Sequence, residues 1–207
     1  AHDVSVQWCT VEESDDQGHS KGAHNFGIIS AAEDNGAVSV HHNLWAHHGR
    51  RVPCMAPYRE NAAGDFCNNL IYNCRGGYVD DGHGNRAKSP VNLHKNYYRR
   101  GPETLGRLYP YALSPNMSYY VRDNYFEDWG LQGHPRHWRP ANQPGGVPRW
   151  IQFNNNGNEI DTPAKTPAVE LVDAKDAYAL ILAKAGCWPR DRMTKRTVHE
   201  VTTQTGA

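Results

Sequence analysis

Through about residue 130 the chain alternates apolar and polar positions in short runs, and each run closes on a polar residue at a bend. Val38-Ser39-Val40-His41 leads to Asn43, and Asp65-Phe66-Cys67 leads to Asn69. Val91-Asn92-Leu93-His94 leads to Asn96, and Tyr119-Tyr120-Val121-Arg122 leads to Asn124. These asparagines fall at intervals of 26, 27 and 28 residues. A fifth run, VSVQWCTVEES, carries Cys9 at the equivalent position. Period-two alternation marks strands, and the Gly, Pro, Asn and Asp between the runs mark turns and loops.

A repeat of this length predicts a solenoid or a propeller. A propeller blade spends about 40 residues on four strands, whereas a coil of a parallel β-helix needs roughly half that plus loops. The observed interval favours the coil. The expected fold is therefore all-β, a right-handed parallel β-helix with long loops. Equivalent positions then stack along a common axis, and Asn43, Asn69, Asn96 and Asn124 form a hydrogen-bonded ladder. The plainer alternative is that asparagine favours turns.

Beyond residue 130 the pattern changes. The expected organisation is β-helix coils over 1–130, a long irregular surface segment over 131–170, and a C-terminal helix and tail over 171–207 packing on the solenoid. The middle segment is dense in Pro, Gly and Asn. In the last, Asp173 reads as a helix N-cap, Ala177, Leu180, Ile181 and Lys184 follow at helical spacing, and Gly186 reads as the residue past the end. A solenoid needs its exposed end covered, so this helix is expected to cap it.

Length and charge bound the function. A chain of 207 residues can bury a real core. Lysine plus arginine number 22 and aspartate plus glutamate 22, so bulk electrostatics favour neither nucleic acid nor an anionic membrane. No apolar run approaches the roughly 18 residues of a membrane span. The N-terminus shows no signal-peptide pattern and opens on strand-like sequence, so the simplest expectation is a chain whose first part lies elsewhere. The five cysteines, Cys9, Cys54, Cys67, Cys74 and Cys187, are odd in number and read mostly as buried thiols rather than a disulfide framework.

Five stretches carry a resemblance: VSVQWCTVEES, HSKGAHNFG, SVHHNLWAHHGRRVP, FCNNLIYNC and VNLHKNYYRRGPET. Together they resemble the pectate lyases of polysaccharide lyase family 1, in particular a bacterial pectate-lyase-like branch, and the C-terminal stretch resembles that branch too. The most specific piece is His41-His42-Asn43 followed by Arg51-Val52-Pro53. The resemblance implies a right-handed parallel β-helix that cleaves polygalacturonate by β-elimination, generally with Ca²⁺, in a secreted or periplasmic protein. By position, Arg51 falls on the family's catalytic arginine and Lys21 on the lysine that holds the substrate carboxylate. His19, His24, His48, Arg50, Tyr58 and Arg59 are the expected substrate-binding residues. Two departures stand out: Ala56 occupies the place of a second arginine, and the family's calcium-binding acids do not map onto this chain. The implied partners are an acidic polysaccharide and a second chain or N-terminal segment that completes the coils. Neither nucleic acid nor membrane is expected as a partner.

The chemistry explains those residue types. Elimination from a uronate removes the C5 proton beside the C6 carboxylate and expels the C4 oxygen. A cation on that carboxylate stabilises the enolate-like transition state. Arginine is an unusual base because guanidinium is normally protonated, and neighbouring cations would favour its neutral form. Three readings of His41, His42, His47 and His48 stand side by side. They are stacking residues on a coil surface, one of them is a general base in place of arginine, or they are zinc ligands, against which the H-H-x4-H-H spacing and the alternation of strand faces both count. Trp45, Tyr58, Tyr97, Tyr98 and Tyr109 read as sugar platforms or as packing. Arg99, Arg100 and Arg107 read as carboxylate binders or as a solvated face. A non-catalytic polysaccharide-binding or structural β-helix, and a lyase for another uronate polymer, remain as alternatives.

Overall fold

The computed structural model of the chain describes residues 3–15, 17, 19–20, 22, 24–30, 35–55, 62–74, 79–80, 90–104, 111–112, 117–127 and 158–206. With strands numbered in chain order, β1 (Val4–Gln7), β4 (Ala37–His41), β7 (Ala63–Cys67), β10 (Val91–His94), β13 (Ser118–Arg122) and β15 (Asn158–Glu159) form one sheet in that order. A second sheet runs β2 (Thr10–Glu12), β5 (Leu44–Ala46), β8 (Leu70–Tyr72), β11 (Tyr97–Arg99) and β14 (Tyr125–Glu127). Two short pairs complete the set, β3 (Ile29–Ser30) with β6 (Cys54–Met55) and β9 (Val79–Asp80) with β12 (Tyr111–Ala112). The described pairings are parallel. Among the described residues the chain is mostly β, with parallel sheets and two short helices, an arrangement compatible with a parallel β-helix.

The repeat read from the sequence is visible as register. Val6, Val40 and Phe66 are paired across three strands, as are Val11, Trp45, Ile71, Tyr98 and Phe126 across five. These residues point inward and pack together, with Val40, Phe66, Ile71 and Tyr98 at 0% exposure. Each large side chain so buried contributes about 1.5–3 kcal/mol. Tyr98 stacks flat on Phe126 with ring centroids 4.4 Å apart. Trp45, Tyr97 and Tyr98 are therefore packing residues, and the sugar-platform reading does not hold for them.

At every turn between the two large sheets one residue adopts a left-handed backbone: Trp8, His42, Asn68, Lys95 and Asp123. Each immediately precedes a ladder position. Asn69 Oδ1 accepts from the Asn43 backbone N–H, Asn96 Oδ1 from that of Asn69, and Asn124 Oδ1 from that of Asn96, at 2.9–3.1 Å. The side-chain amides repeat the same links at 3.0–3.2 Å. Asn43 continues the series to the Cys9 N–H at 2.9 Å. The ladder exists because a bend strips backbone groups of sheet partners, and buried polar groups must find others.

Helix α1 (Ala174–Lys184) follows the expected N-cap and spacing, but it does not cover an end of the stack. Ala177, Ile181 and Ala185 bury against Leu44, Ala46, Leu70, Tyr72 and Tyr97, the outward residues of the second sheet. The capping expectation is corrected: those outward positions are apolar, so the lateral face itself demands a cover. A second helix, α2 (Arg192–Thr203), joins this layer through Val201. Asp191 caps it by accepting from Thr194 N–H at 2.8 Å. Ahead of α1, β15 extends the first sheet within a stretch expected to be irregular. Ala164 and Asn92 then exchange hydrogen bonds at 2.8 and 3.0 Å, and Val172 and Asn68 at 2.8 and 2.9 Å. Residues 131–157 lie outside the described residues.

The cysteines are free thiols, three of them buried. No described helix is long and apolar enough to cross a membrane.

Candidate active site

Arg51 lies just ahead of β6, where residues 25–30 run alongside 49–55. Gly49 N–H donates to Asn25 O at 2.6 Å, Gly27 N–H to Arg50 O at 3.0 Å and Ile28 N–H to Arg51 O at 2.8 Å. Two glycines permit this closeness. A Cβ at Gly27 would sit 2.8 Å from the Arg51 carbonyl oxygen, and one at Gly49 would overlap the Asn25 side chain. Arg51 itself has a left-handed backbone, φ 60°. That turns its side chain out of the strand path and onto the neighbouring segment.

There the guanidinium lies over the Phe26 ring, 4.3 Å from the centroid. Such a contact contributes about 0.5–2 kcal/mol to fixing the group. The column continues outward: His24 packs on Phe26 at 4.8 Å, and His19 stacks on His24 at 3.7 Å. His24 Nδ1 lies 2.9 Å from Gly22 O. His19 and Arg50 are exposed, while His24, Phe26 and Arg51 are half-buried. Arg51 Nε is buried and takes no hydrogen-bond partner. The structure thus stacks Arg51, Phe26, His24 and His19 in one column, and Arg50, with an exposed side chain, joins the same pair of segments through its backbone. Lys21, Tyr58 and Arg59 lie outside the described residues, as do Ala56 and Arg107.

His48 is placed differently. It is fully buried, its Nε2 lies 2.9 Å from the Val11 carbonyl and its Nδ1 2.8 Å from Ser14 Oγ. A carbonyl only accepts, so Nε2 carries the proton and Nδ1 accepts from the hydroxyl. Burial holds this imidazole neutral, pushing its pKa down to about 4. Both nitrogens are used inside the chain, which leaves none for a ligand.

The other three histidines of the cluster are also buried and diverge. His47 accepts from Asn73 Nδ2 at 3.0 Å and faces Glu200 at 3.0 Å. His41 and His42 bring their Nδ1 atoms to 2.9 Å, so one donates to the other. The expectation that strand alternation separates these two is corrected: His42 lies past the strand end with φ 56°, and this swings its ring back. Burial first, then His41 and Lys184, push the His42 pKa down to about 4. Both rings line a cavity of about 670 Å³ with Trp8, Glu170 and Lys184, and Arg51 is not part of it. The four rings do not converge on a metal. Arg99 pairs with Glu127, which also accepts from Tyr97 Oη at 2.6 Å, so Arg99 is committed within the fold.

Calcium calls for six to eight oxygen ligands. Around Arg51 the described residues assemble no group of three metal-ligating side chains. Such a group does form elsewhere, from Asp65, Cys67 and His94. Sequence reasoning passed over it. Its signal was an Asp-x-Cys pair within one strand and a histidine 27 residues after the cysteine, the local repeat interval.

No family model matches the chain. A relative named probable pectate lyase C, from Aspergillus flavus, is 30% identical over 95 residues, 46% of this chain and 21% of the relative. The chain thus spans about a fifth of the length of the relative it matches. This makes the relationship distant and pectate-lyase-like.

Proposed function

We propose that the parallel sheets are the coils of a right-handed parallel β-helix, and that the chain is part of an extracellular polysaccharide lyase that cleaves polygalacturonate by β-elimination. The observation that carries this reading is the Arg51 guanidinium, turned out of its strand by a left-handed backbone and held over Phe26 at 4.3 Å in a column with the His24 and His19 rings. It occupies the R-x-P motif that resembles the lyases, and the distant relative bears a pectate lyase name.

In this mechanism Arg51 in its neutral form takes the C5 proton. The C5–H electron pair becomes the C4=C5 double bond, the C4–O pair leaves with the glycosidic oxygen, which takes a proton from water, and Arg51 then gives its proton to the hydroxide so formed. Arg50, and Lys21 on the same segment as His19 and His24, offset the charge that develops at the C6 carboxylate. His19 and His24 offer a stacked face at which a sugar ring is held, and the reading keeps Tyr58 and Arg59 as substrate-binding residues on the strength of the sequence. The proposal leaves His48 out of the binding set, since its nitrogens are engaged inside the fold.

The test is incubation with polygalacturonate, with and without Ca²⁺, following the ultraviolet absorbance of the unsaturated uronate product. Rising absorbance is expected. A rise with a different uronate polymer and none with pectate changes the substrate. Binding to polygalacturonate without any product selects a non-catalytic β-helix, a reading favoured by Ala56 at the place of the second arginine.

A further inference from the structure

The outward face of the first sheet is polar, and register alone assembles a distinct group of side chains on it. Asp65 and Cys67 are two apart in β7, so they project to the same side while Phe66 enters the core. Cys67 pairs with His94 of β10 on one flank and with His41 of β4 on the other. Asp65 Oδ1 lies 3.2 Å from His94 Nε2, and Asp65 Oδ2 lies 3.2 Å from Cys67 Sγ. The ligand atoms of the three residues all fall within 4.8 Å of one another.

We propose that Asp65, Cys67 and His94 bind a zinc-class divalent cation that ties adjacent coils together, independently of the lyase site. Tetrahedral bonds of about 2.0–2.3 Å place neighbouring ligand atoms roughly 3.3–3.8 Å apart. The two 3.2 Å contacts end on different oxygens of Asp65, and with one oxygen as ligand the three atoms still lie within 4.8 Å, so side-chain rotations of about an ångström bring them to tetrahedral spacing. The donor set of one thiolate, one imidazole and one carboxylate suits zinc or cobalt and excludes calcium and magnesium, which take oxygen.

Charge points the same way. Asp65 is 3% exposed, and a buried carboxylate costs several kcal/mol unless a cation faces it. Its contacts include the His94 imidazole, the Cys67 thiol, the Asn92 side chain and the Ser39 hydroxyl at 3.4 Å. The ammonium of Lys95, next in the chain, is instead turned to Asp173 at 3.1 Å. His94 is the one group among these contacts able to carry positive charge, and a divalent ion adds to it. The His94 side chain is 13% exposed, which gives a cation a way in and leaves the fourth position to a water molecule. On binding, the Cys67 S–H bond gives way to a sulfur–metal bond and the proton goes to solvent. No electron is transferred.

The experiment uses the reduced full chain, stripped with a chelator and titrated with Co²⁺. One equivalent should produce a sulfur-to-cobalt charge-transfer band in the near ultraviolet with the visible bands of a four-coordinate ion. Cys67→Ser should abolish the charge-transfer band, and Cys187→Ser, at an exposed thiol, should leave it intact. His94→Ala should weaken binding roughly tenfold or more. If Cys67→Ser does not fold, the comparison passes to the wild-type chain, whose unfolding temperature stoichiometric Zn²⁺ should raise and equal Ca²⁺ should not. Cobalt binding without a sulfur band, a band that survives Cys67→Ser, or equal effects of Zn²⁺ and Ca²⁺ overturns the proposal.

Discussion

Asn69 Oδ1 accepts both the backbone N–H of Asn43 at 3.1 Å and its side-chain amide at 3.0 Å, so one atom joins two bends 26 residues apart. The Asn69 amide in turn donates to Val40 O at 2.9 Å and Cys67 O at 3.1 Å. Asn69→Ala leaves several fully buried groups without partners. At about 1–3 kcal/mol for each such group, it should cost about 3 kcal/mol or more. Cys9→Ala, at the position where the ladder has no amide, should cost far less. Urea unfolding of both variants checks the contrast, and equal losses would argue against a ladder that holds the bends.

Much of this was legible in the sequence because a solenoid repeats its physics. The alternation, the asparagine interval and the Asp173 to Gly186 helix signals all survive in the structure. Helix α2 was not legible. Its buried stripe is Thr194, Thr197 and Val201, and threonine conceals an inward face from any hydropathy pattern. Asp191, which caps the helix, was the available signal. For the site, the motif marked Arg51 but not its contact with Phe26, since that depends on how closely two loops approach. His48 misled for a related reason: a histidine near a catalytic motif looks functional until its two partners, Ser14 and Val11, are seen.

His48 gives the fold an acid limb. Its pKa is about 4 folded against 6.5 for an ordinary histidine, so below 6.5 the unfolded chain binds the extra proton first. The stability tied to neutral His48 is complete above pH 6.5, declines as pH falls, and is gone near pH 4. The loss amounts to about 3 kcal/mol. His48→Gln should be less stable at pH 7 and show a shallower decline between pH 6.5 and 4. Urea midpoints measured across this range test it, and an unchanged slope would contradict the assignment.

Ile181 is fully buried between α1 and the outward face of the second sheet. Ile181→Ala should destabilise the whole domain by about 2–5 kcal/mol, with a single unfolding transition. If α1 instead melts separately while the sheets stay folded, the helix layer is not integral to the stack. Far-ultraviolet circular dichroism compared with tryptophan fluorescence distinguishes the two.

If Arg51 is the base, Phe26, whose ring lies 4.3 Å under its guanidinium, is its positioning residue. Phe26→Leu keeps an apolar side chain but removes the ring face. Loss of about 0.5–2 kcal/mol of orientation should lower kcat by roughly twofold to thirtyfold and leave KM nearly unchanged. A change confined to KM would place Phe26 in substrate binding instead.

The most direct measurement is the rate of unsaturated-product formation from polygalacturonate by the Arg51→Ala variant, set beside the wild-type chain at equal folded concentration. Arg51 as the proton-abstracting group predicts a fall of about 10²–10⁴-fold, with the unfolding midpoint little changed. A variant that turns over at the wild-type rate would contradict the account.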